Sequence, residues 1–386
     1  MSSGTALPEI NEVSNIYIFV SDALRWDSIP ESVQSLGATF KTVASGCATM
    51  RSVSSILTGI NPPRHGVSSW TDQLNEPTIL QTADLNSGFY NPAGGKKGGL
   101  NVILDRNSEE ELGKIKPPFV YFERDQGGHA PYRGLSYDEM LSDLNHTRES
   151  LKQYYSEMVD KSIARFEDRL ETLDDRDLLS ETLIVFLSDH GELLGEHGLV
   201  SHSSPPVPEL VYVPTVFIHP EIDERQHRQT IGHIDLAPTV LSALDTNFPK
   251  QSFDGVDLFQ KTPGLRYNDS KYDIKIKSRK INIYQSSGLW DENGGHVFTS
   301  RGKLISPLIG WKRAQGWNRA YWRENPSDIL RGLRCLSTPH KRYGSPEFSK
   351  VTAKEGIADV QSSEGTAETV ELEDDVEERL EDLGYR

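Results

Sequence analysis

Two short segments carry side chains suited to holding a cation, and each directly follows an apolar run. Asn15–Val20 (NIYIFV) leads into Ser21-Asp22-Ala23-Leu24-Arg25, and Thr182–Leu187 (TLIVFL) leads into Ser188-Asp189-His190-Gly191-Glu192. An Asp at the carboxyl end of a buried strand can hold a cation or cap the helix that follows. In the second segment a carboxylate and an imidazole are adjacent. On a tight turn both can face one ion, whereas along a strand successive side chains point to opposite faces. Gly191 permits such a turn. Asp22, Asp189 and His190 together make a mixed oxygen and nitrogen site for one divalent metal ion, Mn, Zn, Mg or Ca, with the imidazole favouring Mn or Zn.

A third segment can supply a nucleophile. Gly46-Cys-Ala-Thr-Met-Arg-Ser-Val-Ser-Ser-Ile-Leu-Thr58-Gly59 has a small, hydroxyl-rich entry followed by a helical pattern. Hydroxyls at a helix start can simply cap it. The same place also activates a nucleophile, because backbone N–H groups and the positive helix end stabilise developing negative charge.

The elements that must position these groups are legible as an α/β pattern. Four apolar runs read as buried parallel strands: Asn15–Val20, Phe119–Phe122, Thr182–Leu187 and Thr215–Ile218. Between them, residues 136–174 read as a helix, with Tyr155, Val159, Ile163, Phe166, Leu170 and Leu173 at three- and four-residue steps. This alternation predicts a mostly parallel central sheet with helices on both faces. Ligands bind such sheets at the carboxyl ends of strands, where Asp22 and Asp189-His190 fall. Beyond about residue 265, short runs with turn residues (Gly294–Gly295, Gly302) and Trp311, Trp317 and Trp322 predict a small α+β subdomain. The expected division is a catalytic domain over 1–265, a C-terminal subdomain over 266–350 and an acidic linker with a terminal helix over 351–386. Within that last part, residues 351–372 read as a linker or loose tail. Asp374–Leu383 reads as a docking helix with Val376, Leu380 and Leu383 on one face.

Composition narrows the partners. The 386 residues carry 57 acidic and 41 basic side chains, a formal charge of −16. Such a surface repels nucleic acid and anionic membranes. An anionic substrate must therefore be received by positive charge concentrated in the site. No apolar run reaches the length of a membrane span, and the stretch from Met1 to Val13 lacks an apolar signal core. With only Cys47 and Cys335, no disulfide framework is expected. A cytoplasmic location is the expectation, and the acidity suits a high-salt cytoplasm. Oligomeric state cannot be read.

The joint order of these motifs resembles the sulfatase branch of the alkaline phosphatase superfamily over roughly residues 15–260. Asp22 ends a strand as that family's metal ligand does. Leu57-Thr58-Gly59 and Pro62-Pro63-Arg64-His65-Gly66-Val67 resemble the close of its nucleophile helix. Asp189-His190-Gly191-Glu192, running through Leu194-Gly195-Glu196-His197-Gly198 to His202, resembles its second ligand pair. Glu209–Pro214, His233–Thr239 and Asp254-Gly255 also match. The resemblance implies an enzyme that attacks a sulfate ester or a phosphate mono- or diester, including sulfated or phosphorylated saccharides. Counting back from Thr58-Gly59 puts Thr49 at the nucleophile position. Cys47 with Arg51 keeps the family's Cys-to-Arg spacing but would turn the helix by about 200°. Neither register has the family's Pro, and Ala23 stands where relatives often have a second acidic ligand. An unmodified Thr49 forms a covalent ester that water must cleave, which is comfortable for phosphoryl transfer and shifts the weight from sulfate toward phosphate esters.

By the same resemblance, Lys96 and Arg51 would neutralise the transferred group, and His129 or His202 would protonate the leaving oxygen. Asp125 and His129 have the Asp-x-x-x-His spacing that two-metal relatives use for a second ion, with His202 or His233 as a third ligand. Asp235 reads as a helix cap. Hydrolysis, with water cleaving the intermediate, is the expected reaction; the alternatives are transfer of the sulfo or phosphoryl group to another hydroxyl (a lipid one being disfavoured without a membrane span) and a non-catalytic member of the fold.

Overall fold

The computed structural model describes residues 5–369 apart from residues 12, 83, 93–98, 110–111, 203, 245–251, 277–278 and 302–315. Lys96, Trp311 and the terminal helix expected over Asp374–Leu383 lie outside the described residues.

A seven-stranded sheet forms the centre. Its strands in chain order are β1 (Asn15–Ser21), β2 (Ala38–Val43), β3 (Asn86–Tyr90), β4 (Phe119–Asp125), β5 (Thr182–Leu187), β6 (Tyr212–Ile218) and β7 (Arg225–Gly232). Across the sheet they run β7-β2-β6-β5-β1-β4-β3. β1 is parallel to β4 and β5, β3 is parallel to β4, and β7 is parallel to β2. β6 departs from the sequence expectation: it is antiparallel to both β5 and β2. Being flanked on both sides, it is as apolar as the parallel strands of the sheet, so its direction leaves no mark on its composition.

The sheet separates two apolar layers, and β1 shows how. Tyr17 and Phe19 face one layer, Ile16, Ile18 and Val20 the other, as the alternation of a strand requires. The first layer is closed by the helix Arg148–Asp174, whose Tyr155, Val159, Ile163, Phe166 and Leu173 are buried. The single helix expected over 136–174 is two helices, Tyr137–Asp143 and Arg148–Asp174. Ser136 and Thr147 cap their starts, each accepting from a backbone N–H three residues on. The second layer is closed by the helices Thr49–Thr58 and Leu236–Ala243, through Val53, Ile56, Leu57, Leu236 and Val240.

A four-stranded antiparallel sheet follows, β8 (Arg266–Ile276), β9 (Arg279–Asp291), β10 (Gly294–Arg301) and β11 (His340–Gly344), in that order. The loose tail expected from residue 351 is in its first part a helix, Lys350–Ser362. Ser349 caps it, and Ala353 and Ile357, one turn apart, are buried against Tyr267 and Leu289. Its polar composition is that of the solvent face of an amphipathic helix. No helix among the described residues is long and apolar enough to cross a membrane.

Candidate active site

β1, β4 and β5 end side by side, and the turns beyond them are stitched together. The Asp22 N–H donates to the Asp125 carbonyl at 3.2 Å, and the Asp22 carbonyl accepts from the Gly128 N–H at 2.8 Å. Ala23 takes a left-handed conformation (φ 59°), and its N–H donates to Asp189 Oδ1 at 3.2 Å. The Leu24 N–H donates to Ser188 Oγ at 2.8 Å, and that hydroxyl donates to the His190 carbonyl. Tyr155, from the long helix, clamps the same turn by donating to the Ala23 carbonyl and accepting from the Arg25 N–H. Gly191 lies so close to the Glu209 carbonyl that a Cβ would stand 1.9 Å from it, which is why a glycine follows His190.

This stitching converges Asp22, Asp189 and His190, all fully buried, with donor atoms within 4.8 Å of one another. His190 Nε2 lies 3.5 Å from Asp22 Oδ1 and 3.7 Å from Asp189 Oδ2. His190 Nδ1 donates to the Gly191 carbonyl at 2.9 Å, leaving Nε2 with its lone pair facing the carboxylates. Among the described residues, Asp22 Oδ1 and Asp189 Oδ2 are buried with no hydrogen-bond partner. Two such oxygens and a lone-pair nitrogen converging in a buried site fit a divalent cation. The charges agree. Burial pushes the Asp22 carboxyl well above its ordinary value, with Asp189 and Glu192 adding to that push and Arg124 opposing it. Burial also pushes Asp189 upward, but His190, Arg124 and the Ala23 N–H outweigh it and hold that carboxyl below its ordinary value. Burial lowers His190 to about 4, so its ring is neutral, as a ligand must be.

Thr49 is the first residue of the helix Thr49–Thr58 and is 2% exposed. Its hydroxyl lies 3.3 Å from His190 Nε2 and 3.5 Å from Arg124 Nη2. The Arg124 guanidinium also donates to Asp22 Oδ2 and, at 3.2 Å, to Asn91 Oδ1. Cys47, the rival nucleophile, is buried in an apolar cluster, with its thiol 3.5 Å from Asn268 Oδ1 in the C-terminal sheet. Arg51 is likewise drawn to that sheet: its guanidinium grips Asp269 in two hydrogen bonds of 2.7 and 2.6 Å and donates to the Val67 carbonyl. Among the described residues, the positive group beside Thr49 is therefore Arg124, for which the sequence shows no local signal.

Asp125 and His129 do not form the pair that their spacing suggested. β4 continues to Asp125, so Glu123 and Asp125 share one face and Arg124 takes the other. Asp125 pairs with Arg165 of the long helix and accepts from the Gly127 N–H at 3.0 Å, while Glu123 pairs with Arg169. His129 instead groups with Glu192 and His202. The His202 ring centroid is 4.4 Å from that of His190 and 4.9 Å from that of His129. His233 is held by backbone on both sides, accepting from the Ser45 N–H and donating to the Ser188 carbonyl, so it is not a third ligand. Asp235 accepts from the Gly232 N–H and grips Arg266.

Comparison with known proteins identifies the family to which this fold belongs. A family model described as Sulfatase matches residues 114–246. The low-salt glycan biosynthesis sulfotransferase Agl7 of Haloferax volcanii is 33% identical over 403 aligned positions, covering 96% of this chain and 96% of that one. The chain belongs to the sulfatase family. A sulfatase of Escherichia coli, YidJ, is 30% identical over 124 residues, covering 32% of this chain and 24% of that one. The phosphonate monoester hydrolase of Agrobacterium radiobacter shares the fold, with a TM-score of 0.58 at 13% identity over 86% of this chain and 100% of that one. The sulfatase fold thus accounts for the α/β sheet and the converging strand ends, and the match of the Haloferax sulfotransferase extends through the C-terminal sheet as well.

Proposed function

We propose that this chain transfers a sulfuryl group from a sulfate ester to a saccharide hydroxyl through a covalent ester on Thr49. The observation that carries the reading is the Thr49 hydroxyl, at a helix start, between His190 Nε2 and the Arg124 guanidinium. Asp22, Asp189 and His190 would hold one divalent ion beside it. When bound, that ion lowers the pKa of the hydroxyl and polarises a non-bridging ester oxygen.

The Thr49 oxygen attacks sulfur in line, the ester S–O bond breaks, and its electron pair leaves with the alcohol oxygen. Arg124 neutralises the transferred group. Lys96 is a second cation for that group. His129 and His202 line the side on which the alcohol departs, and the proton it needs enters there. An unmodified threonine has no neighbouring hydroxyl through which its sulfate ester can collapse, so an incoming acceptor must displace Thr49 and release it as the hydroxyl. A saccharide acceptor is favoured because the relative that spans this chain from end to end is named a glycan biosynthesis sulfotransferase.

The test is intact-mass spectrometry of the Mn2+-loaded protein with an aryl sulfate, followed by addition of a saccharide. The expected result is a sulfate adduct on Thr49 that persists until the saccharide arrives and then appears on it. Thr49→Ala should form no adduct while keeping its bound ion. Full turnover by Thr49→Ala would overturn the nucleophile, and discharge to water unaffected by saccharide would make the enzyme a hydrolase. An adduct formed from aryl phosphate alone would replace sulfuryl by phosphoryl transfer.

A further inference from the structure

We infer that His129, Glu192 and His202 form a second divalent-cation site, next to the one held by Asp22, Asp189 and His190. The donor atoms of the three residues lie within 4.8 Å of one another. Glu192 is fully buried, and among the described residues neither of its carboxylate oxygens has a hydrogen-bond partner. His202 Nδ1, also without a partner, lies 3.5 Å from Glu192 Oε1. His129 Nδ1 donates to the Ala130 carbonyl, which leaves Nε2 as the nitrogen able to ligate. A buried carboxylate with both oxygens unsatisfied is costly, and a cation removes that cost.

The donor set indicates the kind of ion. Two imidazoles and one carboxylate are a Zn2+ or Mn2+ set rather than one for Mg2+ or Ca2+, which take mostly oxygen. His202, with its side chain 12% exposed, forms the open edge. Three ligands on one side leave a position for an oxygen from outside.

The charge count supports a second ion. Asp22, Asp189 and Glu192 are buried carboxylates, and Arg124 is the buried guanidinium among them, so the group carries two net negative charges. One divalent ion brings it to zero. A second leaves two positive charges to receive a singly charged sulfate ester and the negative charge that develops on Thr49. At its position beside His129 and His202, this cation would stabilise the oxygen on the departing or incoming alcohol before its proton moves. Neither imidazole need then act as the acid.

Ion content separates the two sites. Chain loaded with ZnCl2 or MnCl2, desalted and measured by elemental analysis, should hold two ions. Glu192→Gln and His202→Asn should each hold one, and Asp22→Asn should also hold one, retained at the other site. With Co2+ as a spectroscopic probe, the absorption of the ion at Glu192 should survive in Asp22→Asn and vanish in His202→Asn. If the buried Glu192→Gln variant fails to fold, His202→Asn, at the exposed edge, carries the test. A wild-type chain with one ion, lost in Asp22→Asn and unchanged in His202→Asn, would overturn the second site and leave the first standing. Two ions in wild type with no loss in either His202→Asn or Glu192→Gln would overturn it as well. Retention of both ions in Asp22→Asn would count against the reading of Asp22 instead.

Discussion

Gly127 packs against Asp22 with no room for a side chain. At its φ of +54°, a Cβ would stand 2.1 Å from the Asp22 carbonyl oxygen and 2.5 Å from the Asp22 nitrogen. The glycine therefore lets β4 and β1 close on each other, and that closeness sets where the Asp22 carboxylate points.

Gly127→Ala should move Asp22 without altering any ligand. Both the left-handed backbone and the clash with backbone atoms oppose the methyl group. The expected result is a loss of about tenfold or more in affinity for the ion at Asp22, the size seen when a group that orients a ligand is changed. Titration with Mn2+ by calorimetry measures it. An unchanged affinity would mean that the Asp22 turn can shift without moving its carboxylate.

The helix that presents Thr49 is tied to the C-terminal sheet by Arg51 and Asp269. Both side chains are buried, and Tyr267 also donates to Asp269 at 3.0 Å. Asp269→Asn leaves the Arg51 charge buried with a neutral partner, which should destabilise the chain by about 3 kcal/mol or more. Arg51→Met with Asp269→Leu removes both charges and should recover much of that loss. Urea denaturation of the single and double variants tests this. Equal destabilisation in both would show that packing, not the unpaired charge, sets the cost.

The proposed metal ligands Asp22, Asp189 and His190 stand out in the sequence because each follows an apolar run long enough to be a buried strand, and a charged group there must have a partner. Thr49 was legible only through its distance from Thr58-Gly59, where Gly59 ends the helix at φ 71°. Arg124 was hidden for a geometric reason. In Glu123-Arg124-Asp125 three charges succeed one another, and only the strand's alternation sends the middle one to Thr49 while its neighbours meet Arg165 and Arg169. The Asp-x-x-x-His spacing of Asp125 and His129 does not register that Asp125 still belongs to β4 and meets Arg165. Glu192 stands out in the sequence only as part of a motif, because sequence spacing does not tell which way a side chain leaves the turn at Gly191. The direction of β6 and the arrangement of the C-terminal sheet depend on long-range pairing that no local pattern records.

His65 provides a test of stability against pH away from the ion sites. It is buried, its Nδ1 accepts from the Val67 N–H at 3.1 Å, and its Nε2 lies 3.3 Å from Ser55 Oγ. Burial, helped by the nearby Arg51 guanidinium, lowers its pKa from 6.5 to about 3. Between those values the unfolded chain binds a proton that the folded chain does not, so stability rises with pH across the window. The contribution is fully present above the unfolded value and is lost as pH falls toward the folded one, at up to about 1.4 kcal/mol per pH unit. His190 and His233, both lowered to about 4 by burial, add slopes of the same sign. The comparison that isolates His65 is therefore with His65→Gln, whose amide can still accept from Val67 and donate to Ser55. Urea midpoints measured from about pH 7 down to about pH 4 should fall for both proteins, and less steeply for the variant. Parallel curves would mean that the folded chain takes up the proton at His65 as readily as the unfolded one.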